Sequence, residues 1–252
     1  MKKIWDKLNS VLRLSFSLAK AEFKLRNEGS YLGIVWYLLE PLFIFLILIF
    51  IFGGRSNNIP HYPLYLLFGL VMFNFFSSAT RESTNVIMNN SSFIKSRKLN
   101  YASLVISRVL RSMYSHVFEI IIVLIFMVYY KIPLIGILAY PPLLFLFSIF
   151  SLGIGLFLAA IGVYVNDLIN VWRVFLRGIW FAVPIFYAIG ESSLQFLINP
   201  ITHFIHAGRL IVINHQQPSS YVILSILITP IISLVIGGLI FNKLKGKFAE
   251  KV

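Results

Sequence analysis

Residues 34–53 read IVWYLLEPLFIFLILIFIFG, twenty positions with a single charge, Glu40, followed at once by Pro41. As a helix, this stretch is about 30 Å long, which matches the hydrocarbon core of a bilayer. Five further stretches have the same character: Tyr62–Thr80, Met113–Tyr130, Pro141–Val165, Val171–Gly190 and Tyr221–Phe241. Val171–Gly190 is the weakest, because Arg173 and Arg177 sit in its first two turns. The whole chain agrees. Of its 252 residues 58% are hydrophobic and only 12% charged, and its mean hydropathy is +0.85. A soluble domain carries about twice that charge. Disorder and an ordinary cytosolic enzyme are both excluded. The expected fold is an all-α integral membrane domain of six transmembrane helices covering residues 1–252.

The 22 basic and 9 acidic residues give a net charge of +13, and their placement reports topology. Seven Lys or Arg precede the first span, six lie between Arg81 and Arg111, Arg173 and Arg177 open the fifth span, and four follow the sixth. The opposite side holds only Arg55, Lys131 and Arg209. Positive loops stay in the cytoplasm, so both termini are expected there, as an even span count requires. Residues 1–27 lack the apolar run of a cleavable signal, so the first span is expected to act as the insertion signal. Cysteine is absent, which removes thiol chemistry and disulfides.

Three polar segments carry information. Residues 4–25 form an amphipathic pattern, with Arg13, Ser17, Lys20 and Lys24 on one arc and Trp5, Leu12, Phe16 and Phe23 elsewhere; Glu22 is the misfit. The pattern suits a helix lying in the membrane surface. Residues 81–111 read as the long cytoplasmic connection, where Ser92, Phe93, Ile94 and Lys95 put an apolar tip beside a basic flank, fit for docking into a groove on a cytoplasmic partner. Residues 191–220, broken by Pro200, are too short for two more crossings. Leu194–Ile198 and Ile201–Ile213 fit short re-entrant or interfacial helices at the outer face, which irregular backbone tolerates only where protein or water satisfies it.

Chemistry of its own is not legible in the chain. There is no Gly-x-x-x-x-Gly-Lys-Ser/Thr loop to cradle ATP phosphates and no His-Glu-x-x-His. His203 and His206 lack a third ligand nearby and read as a polar edge. His116 and Glu119, one turn apart, read as a structural hydrogen-bonded pair, and Glu40 as a structural carboxylate. Ser148, Ser151, Gly155 and Ala159 form a small-residue stripe for close helix packing. No catalytic residue, metal site or nucleic-acid footprint is expected. Aromatic residues reach 16%. Phe43, Phe50, Tyr65, Phe73, Phe76, Trp172, Phe175, Trp180 and Tyr187 belong either to lipid-facing bulk and interfacial belts or to a path whose ring faces pack on sugar C–H groups.

The chain resembles the permease subunit of type-2 ABC exporters for lipid-linked polysaccharides, such as O-antigens, capsular polysaccharides and teichoic acids. The residues that carry the resemblance are Gly29–Trp36, Tyr62–Gly69, Phe75–Ser78, Asn85–Ile94, Asn166–Leu168, Pro184–Tyr187, Asn199–Pro200 and Phe241–Leu244. The chain departs from the family pattern at Glu40-Pro41, where Asn-Pro is usual, and at Met72-Phe73, where many have Pro-Trp. It departs again at Asn166, in place of a common Arg, and around Asn100-Tyr101, where a Pro is usual.

The resemblance implies a homodimer with a continuous channel at its interface, seated on two copies of a separate cytoplasmic ATP-binding subunit. ATP and Mg would be bound there and not by this chain. Residues 89–98, including Ser92, Phe93, Ile94 and Lys95, would be the coupling helix, and residues 191–214 the exit-side gate helices. The aromatics of spans 1, 2 and 5 would line the glycan path. Arg173 and Arg177, one turn apart, are candidates for the phosphate of the lipid linker, since an arginine fork matches phosphate oxygens. The rival readings are an exporter of drugs or smaller lipids with the same architecture, and an integral-membrane glycosyl or acyl transferase, which the scattered carboxylates disfavour.

Overall fold

The computed structural model of the chain describes residues 2–28, 31–55, 59–91 and 100–251. It is helical, with no strand among the described residues. In chain order the helices are α1 (Lys2–Asn27), α2 (Trp36–Phe52), α3 (Tyr62–Thr84), α4 (Tyr101–Tyr129), α5 (Tyr140–Gly162), α6 (Leu168–Ala182), α7 (Leu194–Ile198), α8 (Pro200–Gly208) and α9 (Ser220–Leu244). Five of them, α2 to α5 and α9, are long and apolar enough to cross a membrane.

Helix α3 is the hub because its first half, Tyr62–Phe73, is apolar on every side. Leu64, Leu66, Leu67, Phe68, Val71 and Met72 are all fully buried. Phe75 and Phe76 lie 5.6 and 5.9 Å from the ring of Phe147 on α5, and Phe204 of α8 closes on the same ring at 4.8 Å. Small residues then let helix backbones meet. A Cβ on Gly162 would lie 2.1 Å from the Thr84 carbonyl oxygen, and one on Gly155 2.8 Å from the Ser83 hydroxyl, so one end of the small-residue stripe brings α5 against α3. Another glycine pair does the same for α5 and α9: a Cβ on Gly237 would lie 2.0 Å from the Gly153 oxygen.

The expected pairing of His116 with Glu119 is present, with His116 Nδ1 2.9 Å from Oε2. Asn74 donates to the other carboxylate oxygen and Tyr140 hydrogen-bonds His116 Nε2, so the polar knot is satisfied inside the bundle.

Two expectations are corrected. Residues 101–112 are not loop: α4 starts at Tyr101, with the Asn100 side chain accepting from the Ala102 amide (3.1 Å) as its cap. The charges there are neutralised in pairs instead of being solvated. Arg108 meets Glu22 of α1 at 2.6 Å, and Arg111 contacts both Glu22 and Glu82. Glu22 is therefore no misfit; it ties α1 to α4. Burial raises its carboxyl above the ordinary value, against the pull of Arg108 and Arg111. Phe23 stacks on Tyr37 and Phe118 beside it, at 5.5 and 6.1 Å, while Trp5, Leu12 and Phe16 stay exposed as an apolar strip.

The second correction concerns the fifth expected span, Val171–Gly190. Its helix, α6, has only 15 residues, about 22 Å at helical rise. It stops at Ala182 because Pro184 forces Val183 into extended backbone (φ −93°, ψ 134°). A run without regular helix follows, up to α7.

Candidate functional site

The broken end of α6 is held by side chains of other elements. Four successive carbonyls find donors. Pro184 accepts from Arg209 Nη1 (2.6 Å) and Ile185 from Nη2 (2.8 Å). Phe186 accepts from the Tyr62 hydroxyl (2.8 Å) and Tyr187 from that of Tyr65 (3.0 Å). Irregular backbone inside a membrane protein is tolerable where its polar groups are satisfied in this way. Arg209 also donates to the Tyr65 carbonyl and lies 3.4 Å from the Tyr65 ring centroid. It is 3% exposed, and burial lowers its guanidinium to about 10, leaving it charged at neutral pH.

Residues 194–198 and 201–213 are helical where the sequence places short helices, and the second ends in a π-turn at Arg209–Ile213. His203 Nδ1 bonds the Ser225 hydroxyl (2.5 Å), and His206 Nε2 lies 3.1 Å from Glu191.

The same contacts fix the register of α3 against α6. Thr80 meets Trp172, whose Nε1–H donates to its hydroxyl (3.1 Å), while Tyr65 meets Tyr187. The two segments therefore run antiparallel. Between them lies a cavity of about 420 Å³. Phe73, Ser77 and Arg81 recur at helical spacing along the α3 wall; Arg173, Leu176, Arg177, Trp180 and Phe181 form the α6 wall. In this register the three arginines gather towards the Thr80 end, and Phe73, Trp180 and Phe181 lie farther along. A second cavity of about 150 Å³ shares Phe73, Ser77 and Trp180 and extends to Glu40 and Pro41 on α2. No acidic side chain lines the larger cavity. None of its three arginines has a carboxylate partner among the described residues, whereas Arg108 and Arg111 are both paired.

The expected site residues divide accordingly. Arg173, Arg177, Phe73 and Trp180 come together in the cleft. Phe43, Phe50 and Phe175 point outward, at 56%, 90% and 56% exposure. Trp172 backs the cleft against Phe175 at 5.2 Å. Tyr65 and Tyr187 commit their hydroxyls to backbone carbonyls, that of Tyr187 donating to Phe181 (2.8 Å). Phe76 is 2% exposed and stacks at 5.7 Å on Phe150, so it is core rather than lining. Ser92, Phe93, Ile94 and Lys95 lie outside the described residues.

Two arginines lie where the sequence does not lead one to expect them. Arg81 belongs to α3 and not to the cytoplasmic connection, and its spacing from Ser77 and Phe73 is the signal, since it continues one helical face. Arg209 is buried instead of standing in a loop, and its isolation within an apolar run is the signal.

Residues 13–213 match the family model described as ABC-2 type transporter. The chain is 25% identical over 247 residues to the "O-antigen export system permease protein RfbA" of Myxococcus xanthus, covering 95% of each chain. A Klebsiella pneumoniae protein of the same name is 27% identical over 241 residues, 92% of each. The "Polysialic acid transport protein KpsM" of Escherichia coli is 27% identical over 197 residues, 75% of this chain and 76% of that one. The chain belongs to the ABC-2 type transporter family, as a multi-pass protein of the bacterial inner membrane.

Proposed function

We propose that this chain is the transmembrane subunit of an ATP-driven exporter of a lipid-linked polysaccharide, the cargo class named for its relatives in O-antigen and polysialic acid export. The observation that carries this reading is the cleft between α3 and α6, in which exposed arginines without a carboxylate partner among the described residues give way along one axis to aromatic walls. Arginines suit a phosphate, and rings suit the C–H faces of sugars. Nothing in the chain itself hydrolyses a nucleotide, so the energy comes from a separate ATP-binding subunit.

In this reading two copies meet to form the channel, on two copies of the ATPase. Helix α6 together with its extended continuation makes the sixth crossing, because the extended residues add about 3.3 Å each to a helix of about 22 Å. Both termini are then cytoplasmic, and the short helices at 194–213 gate the exit. Residues 89–98 dock on the ATPase through Ser92, Phe93, Ile94 and Lys95. Phe43, Phe50, Phe73, Trp172, Phe175, Trp180 and the ring faces of Tyr65 and Tyr187 contribute to the glycan path, some of them only once the second copy is in place.

Deleting the gene and staining surface glycan tests the reading. Loss of the surface polymer with accumulation inside the cell is the expected result; undiminished surface polymer overturns it.

A further inference from the structure

We infer that His116 and Glu119 form a proton-binding site inside the bundle. Together they hold one proton more than a neutral imidazole beside a carboxylate, and a polar pocket next to them lets that proton exchange with water.

Three observations converge. First, the hydrogen bonds fix the count. His116, Glu119 and Tyr140 are all buried. The Tyr140 hydroxyl has a single proton and donates it to Met72 Sδ (3.1 Å), a thioether that can only accept. The Tyr140 oxygen therefore accepts from His116, which places a proton on Nε2. The other ring nitrogen, Nδ1, lies 2.9 Å from Glu119 Oε2. A bare Nδ1 facing an ionised oxygen would set two lone pairs against each other. A proton lies between them, on the ring or on the carboxyl, and it belongs to the pair rather than to either residue.

Second, the surroundings offer no other counter-charge. Turning the Tyr140 hydroxyl onto Nε2 would leave Nδ1–H donating to a carboxylate and give the pair a net negative charge. Asn74 brings the other carboxylate oxygen a neutral donor only. Of the charged groups that face the adjoining pocket, Glu40 on α2 and Glu82 on α3 are acidic, and Arg111 on α4 is already paired with Glu22 and Glu82. From α5 the facing group is Tyr140 itself. A buried anion without a cation is strongly unfavourable, and the added proton removes it.

Third, the proton has a way in. A pocket of about 20 Å³ lies between α2, α3 and α4, with Ser78, Ser112, Ser115 and Glu119 in its lining. That is room for a single water. Ser112, Ser115 and Glu119 recur at helical spacing along one face of α4. The Ser112 hydroxyl is buried and has no partner among the described residues; a water in the pocket would supply one. Asn74 and Glu40 line this pocket and also the cavity of about 150 Å³ that reaches Phe73 and Trp180. Loss of the proton would therefore put a negative charge beside the proposed glycan path.

The test is solid-state nuclear magnetic resonance of the full-length chain in lipid bilayers at pH 7, with isotope-labelled histidine and glutamate. Glu191→Gln, a change at the surface, removes the other His–Glu contact among the described residues, that of His206. The remaining cross-signal then belongs to His116 and Glu119. Two spectra support the inference: an imidazolium beside a carboxylate, and an imidazole protonated at Nε2 beside a carboxylic acid. A neutral imidazole beside a carboxylate overturns it. Transfer into deuterium oxide tests the route. The shared proton should exchange at least tenfold faster than the backbone amide of Val123, one turn further along α4 and fully buried. Exchange no faster than that amide overturns the pocket as the way in. Neither measurement alters the pair itself, so a misfolded substitution there does not remove the test.

Discussion

Gly69 and Arg209 are fitted to each other: a Cβ built on Gly69 would stand 2.3 Å from Arg209 Nη2 and 3.4 Å from the Ile185 Cα. The glycine on α3 is the space in which the guanidinium lies while it serves the carbonyls of Tyr65, Pro184 and Ile185. Replacing Arg209 by Met keeps the bulk and orphans the Pro184 and Ile185 carbonyls, each worth roughly 1–3 kcal/mol when buried without a donor, while the Tyr65 carbonyl keeps its place in the α3 ladder. Relief from burying a charge offsets part of this, so a net loss of about 2–4 kcal/mol is expected. Lysine should rescue little, since one ammonium cannot fork across three carbonyls. Thermal unfolding in detergent checks this, and Gly69→Ala should lower the melting temperature by the same route. A melting temperature unchanged by Arg209→Met would remove the clamp.

Gly237 and Gly238 are neighbours with opposite surroundings, which makes them an internal comparison. A Cβ on Gly237 would sit 2.0 Å from the Gly153 oxygen, while one on Gly238 meets nothing within 4 Å. Gly237→Ala must push α9 away from α5 along their closest contact, at a cost of roughly 1–3 kcal/mol. Gly238→Ala should be neutral or slightly stabilising, because alanine is the better helix former. Equal effects in a melting assay would contradict the close crossing.

How much was legible follows from what each segment answers to. Spans such as Ile34–Gly53 answer to lipid, a solvent whose demand is written in composition, and they form where hydropathy puts them. The stretch 101–112 answers to Glu22 and Glu82, residues distant in sequence, so its charges imitated a solvated loop while its backbone continued a helix. Residues 183–187 answer to Tyr62, Tyr65 and Arg209, from two other elements. Hydropathy registers their apolar side chains but cannot register who satisfies their carbonyls. The cleft was half visible: Arg173 and Arg177 announced themselves in an apolar run, whereas Arg81 needed the facing helix to give its position meaning. Phe76 illustrates the reverse, since an aromatic in a span reads alike whether it faces a path or, as here, Phe147 and Phe150.

Acidification should loosen the segment of residues 194–213. Burial depresses both His203 and His206 below the ordinary histidine value of about 6.5, although Glu191 pulls His206 the other way. Groups depressed in the folded state favour it while they are neutral. Their contribution is therefore complete above about pH 6.5 and is lost as pH falls towards the depressed values. Arg209, lowered only to about 10, stays charged throughout this window. Hydrogen exchange over residues 194–213 should quicken between pH 7 and pH 5 after correction for intrinsic rates. His203→Gln with His206→Gln should flatten that dependence; a pH response unaltered in the double variant would place its origin elsewhere.

The status of α6 decides the parity of the whole topology, and labelling settles it directly because the chain has no cysteine of its own. Five crossings would leave Lys20 and Lys245 on opposite sides of the membrane; six put them together. The proposed topology puts them together, because 19 of the 22 basic residues then fall on one side, the arrangement the positive-inside bias favours. The buried carbonyl ladder on Arg209, Tyr62 and Tyr65 removes the main obstacle to that crossing, namely unsatisfied backbone in hydrocarbon. Lys20→Cys and Lys245→Cys should therefore resist an impermeant maleimide in intact inner-membrane-exposed spheroplasts and react after lysis, while Lys131→Cys reacts in both. Labelling of Lys20→Cys and Lys245→Cys from opposite sides would reduce the crossings to five and with them the cytoplasmic location of the Lys-rich tail.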